Sequence, residues 1–375
     1  MSRPGMPGDT GGLRLADHTT LRVGGPARAF IEATTADDLV AAVRKADQAG
    51  EPVFILSGGS NVLVGDDGFP GTVIHVASRG VTVETADGVR LRVQAGEPWD
   101  DLVARTVAEG WSGLEALSGV PGLAGATPVQ NVGAYGAEVA ASIHEVRAYD
   151  RRTGRVRVFP GADGGFGYRD SRFKRSRTSA EASGRYVVLE VTFALVADDR
   201  SAPVAYAELA RTLGIAVGER AGLADVRDAV LALRRGKGMV LDEADTDTWS
   251  AGSFFTNPLL DGAAAESLPA EAPRFPQADG RVKTSAAWLI EHAGLGRGWG
   301  IPVRARAERP AVIVPPGEPM AARLSTKHVL ALTNPGQASA ADLVALAHGV
   351  EHAVRDRFGI DLEPEVVLVG TAWDA

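Results

Sequence analysis

Five stretches of the chain combine residue types that could do chemistry, and each also has a plain structural reading. Leu56-Ser57-Gly58-Gly59-Ser60-Asn61-Val62-Leu63 is a Gly/Ser/Asn turn at the end of an apolar run. Such a turn bares consecutive backbone N–H groups that can cradle an anion, or is simply a tight turn. Val120 to Gly136 (VPGLAGATPVQNVGAYG) is longer, apolar and punctuated by glycines, which let the backbone approach a flat or charged ligand closely; the alternative is a surface connection. Two such stretches on separate sequence units point to a cofactor lying between domains. Phe166 to Lys174 (FGYRDSRFK) crowds three cations into nine residues. Arg169 there could hold a carboxylate bidentately, or belong to a solvated basic face. In Ala251 to Pro258 (AGSFFTNP) one hydroxyl, Ser253, stands between glycine and two aromatics. No G-x-S-x-G elbow surrounds it, so a hydrolase nucleophile is a poor reading, and the plain alternative is a serine bonded to its own backbone. In Leu362-Glu363-Pro364-Glu365-Val366 one carboxylate could face a cleft, or both could be surface charges.

What is missing narrows the chemistry further. There is no cysteine, which removes disulfides, thiolate nucleophiles and Cys-ligated metals. His348 and His352 sit one helical turn apart but no third ligand accompanies them, so no metal site is expected. Neither a P-loop nor a G-x-G-x-x-G after a strand occurs. The 39 basic and 47 acidic residues give a net charge of −8, against the broad basic field of nucleic-acid binders. No 18-residue apolar run and no secretory-type N-terminus is present, so the reading is a cytoplasmic protein without membrane spans. At 375 residues, 45% hydrophobic and 23% charged, the chain has room for two or three domains.

The elements that must position these residues follow from periodicity. Residues 1–15 lack it and read as a mobile leader. In 16–79, Ile31 to Ala33 is extended and Thr35 with Asp38 starts a helix. Leu39, Val40, Val43 and Ala46 give that helix its apolar face, which ends at Gly50. Val53 to Leu56 and Thr72 to Ile74 complete a β-α-β-β unit. In 80–236, Val81/Val83 and Val89/Leu91/Val93 flank Asp87-Gly88 as a hairpin. A helix runs from about Trp99 to Glu109. Val146 to Tyr149 and Val156 to Phe159 flank Thr153-Gly154, Tyr186 to Leu195 adds a strand, and Leu223 to Arg235 a helix. In 237–375, Ala286 to His292 and Ala340 to Phe358 read as helices, with Gly359 as a stop, while Ala311 to Val314 and Val366 to Val369 read as extended.

Taken in this order, LSGGSNVLV, VPGLAGATPVQNVGAYG, GYRDSRFK, AGSFFTNP, FPQADGRVKTSAAWLIE and LEPEVVLVG resemble the UDP-N-acetylenolpyruvoylglucosamine reductase family of peptidoglycan precursor synthesis, over nearly everything after the leader. The resemblance implies an α+β fold: a vanillyl-alcohol-oxidase-like, two-part FAD-binding region (16–79 and 80–236) and a C-terminal α/β substrate domain (237–375). It implies non-covalent FAD at Ser57, Gly58, Gly59, Ser60, Asn61, Val62, Pro121, Gly122, Gly125, Ala126, Gln130, Asn131, Gly133 and Ala134. The implied reaction is reduction of FAD by NADPH, then hydride delivery to the enolpyruvyl β-carbon of the UDP-sugar and protonation at the α-carbon. By the same match Arg169 stabilises the substrate carboxylate, Glu365 donates a hydrogen bond beside it in its neutral form, and Ser253 supplies the proton. Tyr206, Lys237, Asn257 and Lys283 match substrate contacts, with Lys174 a further phosphate candidate. Val367 departs from the arginine many relatives carry after the E-V pair. No nucleic acid, membrane or obligatory protein partner is implied. The rival readings are a flavin oxidase of the same fold and a non-catalytic FAD or nucleotide-sugar binding module.

Overall fold

The computed structural model describes residues 13–86, 88–178, 181–277, 279–308 and 310–373. Most of the expected leader and Asp87 of the first hairpin signal therefore lie outside the described residues. The chain forms two compact units. One holds Pro26–Gly59 and Phe69–Gly236; the other holds Arg14–Gly25, Ser60–Gly68 and everything from Lys237 onward.

The first unit begins with β1 (Ala27–Ala33), α1 (Ala36–Gln48) and β2 (Val53–Leu56). The next strand, β3 (Val62–Val64), belongs to the second unit, and β4 (Phe69–Val76) returns to the first. β1, β4 and β2 form a parallel sheet in that order. α1 starts where Thr35 Oγ1 accepts the Asp38 N–H at 3.0 Å, an N-cap that satisfies one of the four orphan donors of a helix start. Its buried residues Leu39, Val43 and Ala46 fall at the spacing of one helical face; Val40 is half-buried.

The larger sheet of this unit is antiparallel. β5 (Val81–Glu84) and β6 (Val89–Gln94) are followed by α2 (Trp99–Ala108) and the short α3 (Thr127–Gln130). β7 (Ile143–Asp150) and β8 (Arg155–Pro160) precede the short α4 (Arg172–Arg175), and β9 (Tyr186–Ala197) precedes α5 (Ala207–Leu213) and α6 (Leu223–Gly236). The strand order is β8-β7-β9-β6-β5. β6 alternates, with Val89, Leu91 and Val93 buried and the residues between them more exposed, the period-2 pattern of a sheet with one face in the core. Those three pack with Trp99, Leu102 and Phe193, each fully buried large side chain contributing about 1.5 to 3 kcal/mol. The Trp99 indole N–H donates to the Leu117 carbonyl at 3.1 Å, so its polar end is satisfied where its ring is buried.

In the second unit, α7 (Gly262–Ser267) and α8 (Ala286–His292) precede β10 (Gly300–Pro302), β11 (Met320–Leu324) and β12 (Leu332–Thr333), an antiparallel sheet. α9 (Ala340–Phe358) and β13 (Val367–Val369) close the unit, β13 running parallel to β3. α9 spans the residues its periodicity predicts and ends at Gly359, φ +67°. At its start Ser339 and Asp342 form a reciprocal capping box, and the Asp66 carboxylate accepts the Ala340 and Ala341 N–H groups at 2.8 and 3.0 Å. Leu15 is fully buried, its N–H donating to the Gly25 carbonyl at 2.9 Å.

The expected strand Ala311 to Val314 does not form; Val314 makes only an isolated bridge to Gly300. Pro310 on one side and Pro315-Pro316 on the other remove ladder donors and confine pairing to a single position. No helix among the described residues is long and apolar enough to cross a membrane.

Candidate functional site

The two glycine-rich stretches meet backbone to backbone in the first unit. A Cβ built on Gly58 would lie 2.7 Å from the Gly122 Cα, a separation no side chain tolerates, so glycine is required where β2 ends. The Gly122 carbonyl accepts the Trp99 N–H at 3.0 Å, and the Gly125 N–H donates to the Ala95 carbonyl at 2.9 Å. Helix α2 and the end of β6 thus hold this path in place, with Pro121 just before it and Ala126 closing a turn of 3-10 helix. Ser57 Oγ and Gln130 Oε1 are buried without a hydrogen-bond partner. Leaving such a group unsatisfied costs about 1 to 3 kcal/mol, and one on each of the two stretches whose backbones meet without room for a Cβ fits a polar ligand. Asn131, fully buried with φ +43°, is committed to the protein. Its Nδ2 donates to Glu138 Oε2 and to the Gly167 carbonyl, both at 2.8 Å, and its Oδ1 accepts the Ala140 N–H at 3.2 Å. It fixes the loop that carries Gly133 and Ala134.

Arg169 is tied to that same loop. Its Nη2 donates to the Gly133 carbonyl at 2.8 Å, and its own carbonyl accepts Lys174 Nζ at 2.8 Å. Gly167 and Asp170 exchange two backbone hydrogen bonds around it, while Ser171 Oγ donates to the Val129 carbonyl at 2.7 Å and caps α4. This tight turn puts Arg169 at φ +51°, a conformation that costs a non-glycine residue of order 1 to 3 kcal/mol and collects at functional sites. Tyr135 shares the feature at φ +49°. Burial pushes its hydroxyl up to about 12, and its ring meets Tyr206 edge-on at 5.6 Å. Tyr206 itself is 42% exposed.

Arg234 is absent from the sequence candidates. It is buried on α6, its Nε donating to the Gly119 carbonyl at 3.0 Å. Burial lowers its pKa, nearby Tyr135 and Asp100 oppose that, and the Arg169 charge adds to it. A buried cation that feels a second guanidinium makes the neighbourhood of the glycine-rich loop receptive to negative charge. The signal was in the spacing: Val226, Val230 and Arg234 recur every four residues, so an arginine stands where the helix period calls for an apolar side chain.

The second unit brings Ser253 and Glu365 onto adjoining segments. The Phe254 N–H donates to the Leu330 carbonyl and its carbonyl accepts the Glu365 N–H, both at 2.8 Å. Phe255 bridges Pro364, and the Thr256 N–H donates to the Glu363 carbonyl at 3.0 Å. Gly252, φ +73°, turns the chain just before half-buried Ser253. Ser60, Asn61 and Val62 also lie in this unit. Asn61 Nδ2 donates to the Glu365 carbonyl at 3.2 Å, its carbonyl accepts the Val367 N–H at 3.1 Å, and Val62 pairs with Val367 in the β3–β13 ladder. Asn61 therefore steadies the segment that carries Glu365. Asn257 Oδ1 accepts the Ala286 N–H at 2.9 Å, at the start of α8. Lys283 lies on a two-residue strand opposite Leu259 and Phe275, and Lys237 directly follows α6. His348 stacks on Trp373 rather than approaching a third ligand, and among the described residues no group of three or more metal-ligating side chains occurs.

A family model described as FAD binding domain matches residues 27–159, and one described as UDP-N-acetylenolpyruvoylglucosamine reductase, C-terminal domain, matches residues 243–369. Curated proteins named UDP-N-acetylenolpyruvoylglucosamine reductase align along nearly the whole chain. That of Salinispora arenicola is 53% identical, covering 96% of this chain and 95% of its own length, and that of Nocardia farcinica is 54% identical, covering 96% and 89%. Among solved structures, the protein from Thermus caldophilus titled UDP-N-acetylenolpyruvylglucosamine reductase superposes with a TM-score of 0.61 at 24% identity, covering 96% of this chain and 98% of that one.

Proposed function

Because the chain belongs to the UDP-N-acetylenolpyruvoylglucosamine reductase family, we propose that it reduces the enolpyruvyl UDP-sugar to UDP-N-acetylmuramate with NADPH as hydride donor, in the cytoplasm. It is an FAD-binding oxidoreductase of peptidoglycan synthesis, with the α+β fold of a vanillyl-alcohol-oxidase-like FAD-binding region followed by a C-terminal substrate domain. When bound, FAD supplies a two-electron carrier between the nicotinamide and the enolpyruvyl β-carbon. Ser57, Gly58, Gly59, Pro121, Gly122, Gly125, Ala126, Gln130, Gly133 and Ala134 hold it in this reading. The backbone supplies the donors, and the buried Ser57 and Gln130 oxygens find partners on the ligand.

Hydride arrival at the β-carbon drives negative charge onto the α-carbon and its carboxylate. Arg169 meets that charge, its guanidinium oriented by the Gly133 carbonyl. Glu365 acts beside the carboxylate, and Ser253 delivers a proton to the α-carbon. Tyr206, Lys237, Lys283 and Lys174 contact the UDP diphosphate in this scheme. The observation that carries it is the Phe254 carbonyl accepting the Glu365 N–H, which sets the two groups assigned to α-carbon chemistry on adjoining segments although they lie far apart in sequence. The test is anaerobic: NADPH should bleach the flavin, and the enolpyruvyl UDP-sugar should restore its colour. Restoration by oxygen with no response to the sugar would make the protein a flavin oxidase, and failure to bleach would leave a binding module.

A further inference from the structure

We propose that Trp373 is a positioning residue for Ser253, acting through the Phe254–Phe255 pair and braced by His348. The proposal rests on the role given above to Ser253 and adds to it the means by which that hydroxyl is held. Before Ser253 the buried Ser250 accepts the Gly252 N–H on its Oγ at 3.2 Å and the Thr20 hydroxyl on its carbonyl at 2.7 Å, and Gly252 turns the chain at φ +73°. After it the chain is anchored. Phe254 is held by two backbone hydrogen bonds, and Phe254 and Phe255 are each only 1% exposed, with ring centroids 5.1 Å apart. On its C-terminal side the place of the Ser253 hydroxyl is thus set by where those two rings stand.

Trp373 packs on both rings, at 6.4 Å from Phe254 and 6.1 Å from Phe255. It also stacks on His348 of α9, at 4.2 Å and 27°. The His348 Nε2 is buried without a hydrogen-bond partner, and it is the face of the ring that meets Trp373. Trp373 also closes the segment that begins with Glu365 and passes through β13. One stretch of chain thus carries the carboxyl group and the wedge that fixes the hydroxyl. Aromatic pairs of this geometry add directional preference beyond the area they bury, and displacement of a reacting group by about 1 Å can lower a rate by about 100-fold.

The test separates the two half-reactions in FAD-loaded full-length protein. Enzyme reduced anaerobically with stoichiometric dithionite is mixed with the enolpyruvyl UDP-sugar, and flavin recolouring is followed by stopped flow. Bleaching of oxidised enzyme by NADPH is measured separately. Trp373→Ala should slow recolouring by about 10- to 100-fold while bleaching stays within about twofold, and Trp373→Phe should recover most of the loss. His348→Ala, which removes only the platform, should slow recolouring in the same direction; it carries the test if Trp373→Ala does not yield holoenzyme. Unchanged recolouring in these variants, equal slowing of both half-reactions, or no rescue by phenylalanine would overturn the proposal and leave Trp373 a stabilising side chain. If reduced wild-type enzyme is not recoloured by the sugar at all, the parent assignment of the reaction fails, a result that no Trp373 variant can imitate.

Discussion

Ser253 and Arg169 are placed by opposite means, and their variants should fail differently. The half-buried Ser253 hydroxyl is assigned to one proton transfer, which only the second half-reaction contains. Ser253→Ala should leave NADPH bleaching intact and slow recolouring by the sugar by ~10²- to ~10⁴-fold, the range for loss of a positioned acid, with Ser253→Cys recovering part of the rate. Loss of FAD or of bleaching would show a structural serine instead. Arg169 is held by its turn and by the Gly133 carbonyl, so Arg169→Lys keeps the charge and gives up the planar fork. FAD retention with recolouring reduced by at least tenfold is expected, measured by the same stopped-flow comparison; near-normal recolouring would remove the arginine from the reaction. The residue types and order of both sites were legible in the sequence. Arg234 was passed over although its spacing marks it, because a charge on an apolar helix face reads as an interruption until its burial is seen.

Gly58 shows how an element end depends on a single missing atom. In Gly58→Ala the new Cβ would press on the Gly122 main chain, and overpacking of this kind costs about 1 to 3 kcal/mol. The purified variant should carry less FAD than wild type, read from the ratio of flavin to protein absorbance. Full flavin content with an unchanged melting temperature would show that the loop yields freely. Ser339→Ala, at the start of α9, should lower stability by about 1 kcal/mol without touching either half-reaction, seen as a shifted urea midpoint with normal bleaching and recolouring. Elements with a clean period and an end signal were readable in advance: α1 by Thr35 and its apolar face, α9 by its span and Gly359, while the Ser339 cap emerged only with the structure. Ala311 to Val314 was misread because four apolar residues satisfy a strand pattern whether or not the flanking prolines permit pairing. The β3–β13 ladder was out of reach for another reason: three apolar residues do not name a partner about 300 residues away.

For the molecule as a whole, acid stability should trace in part to one buried carboxylate. Asp150 is fully buried, and Arg185 donates to it from Nε and Nη2, both at 2.6 Å. That bond to Arg185 is the main cause holding its pKa near 2, below the ordinary 3.8. A carboxylate so depressed contributes stability that is fully present above the unfolded pKa and is lost as pH falls through the folded one. Asp150→Asn should therefore be less stable than wild type at pH 7, and the gap between their urea midpoints should close between about pH 4 and pH 2. A gap that stays constant across that window would assign the acid limb elsewhere. The division of the chain has its own consequence for biogenesis. β3 and the Asp66 cap leave the ribosome early, but β13 is synthesised about 300 residues later, a wait of roughly 15 to 60 s at bacterial elongation rates. During that interval the nascent chain exposes an apolar strand whose partner does not yet exist. The same dependence means that a fragment starting at Lys237 would lack β3 and Asp66, leaving β13 without its neighbour and one of the N-terminal caps of α9 missing.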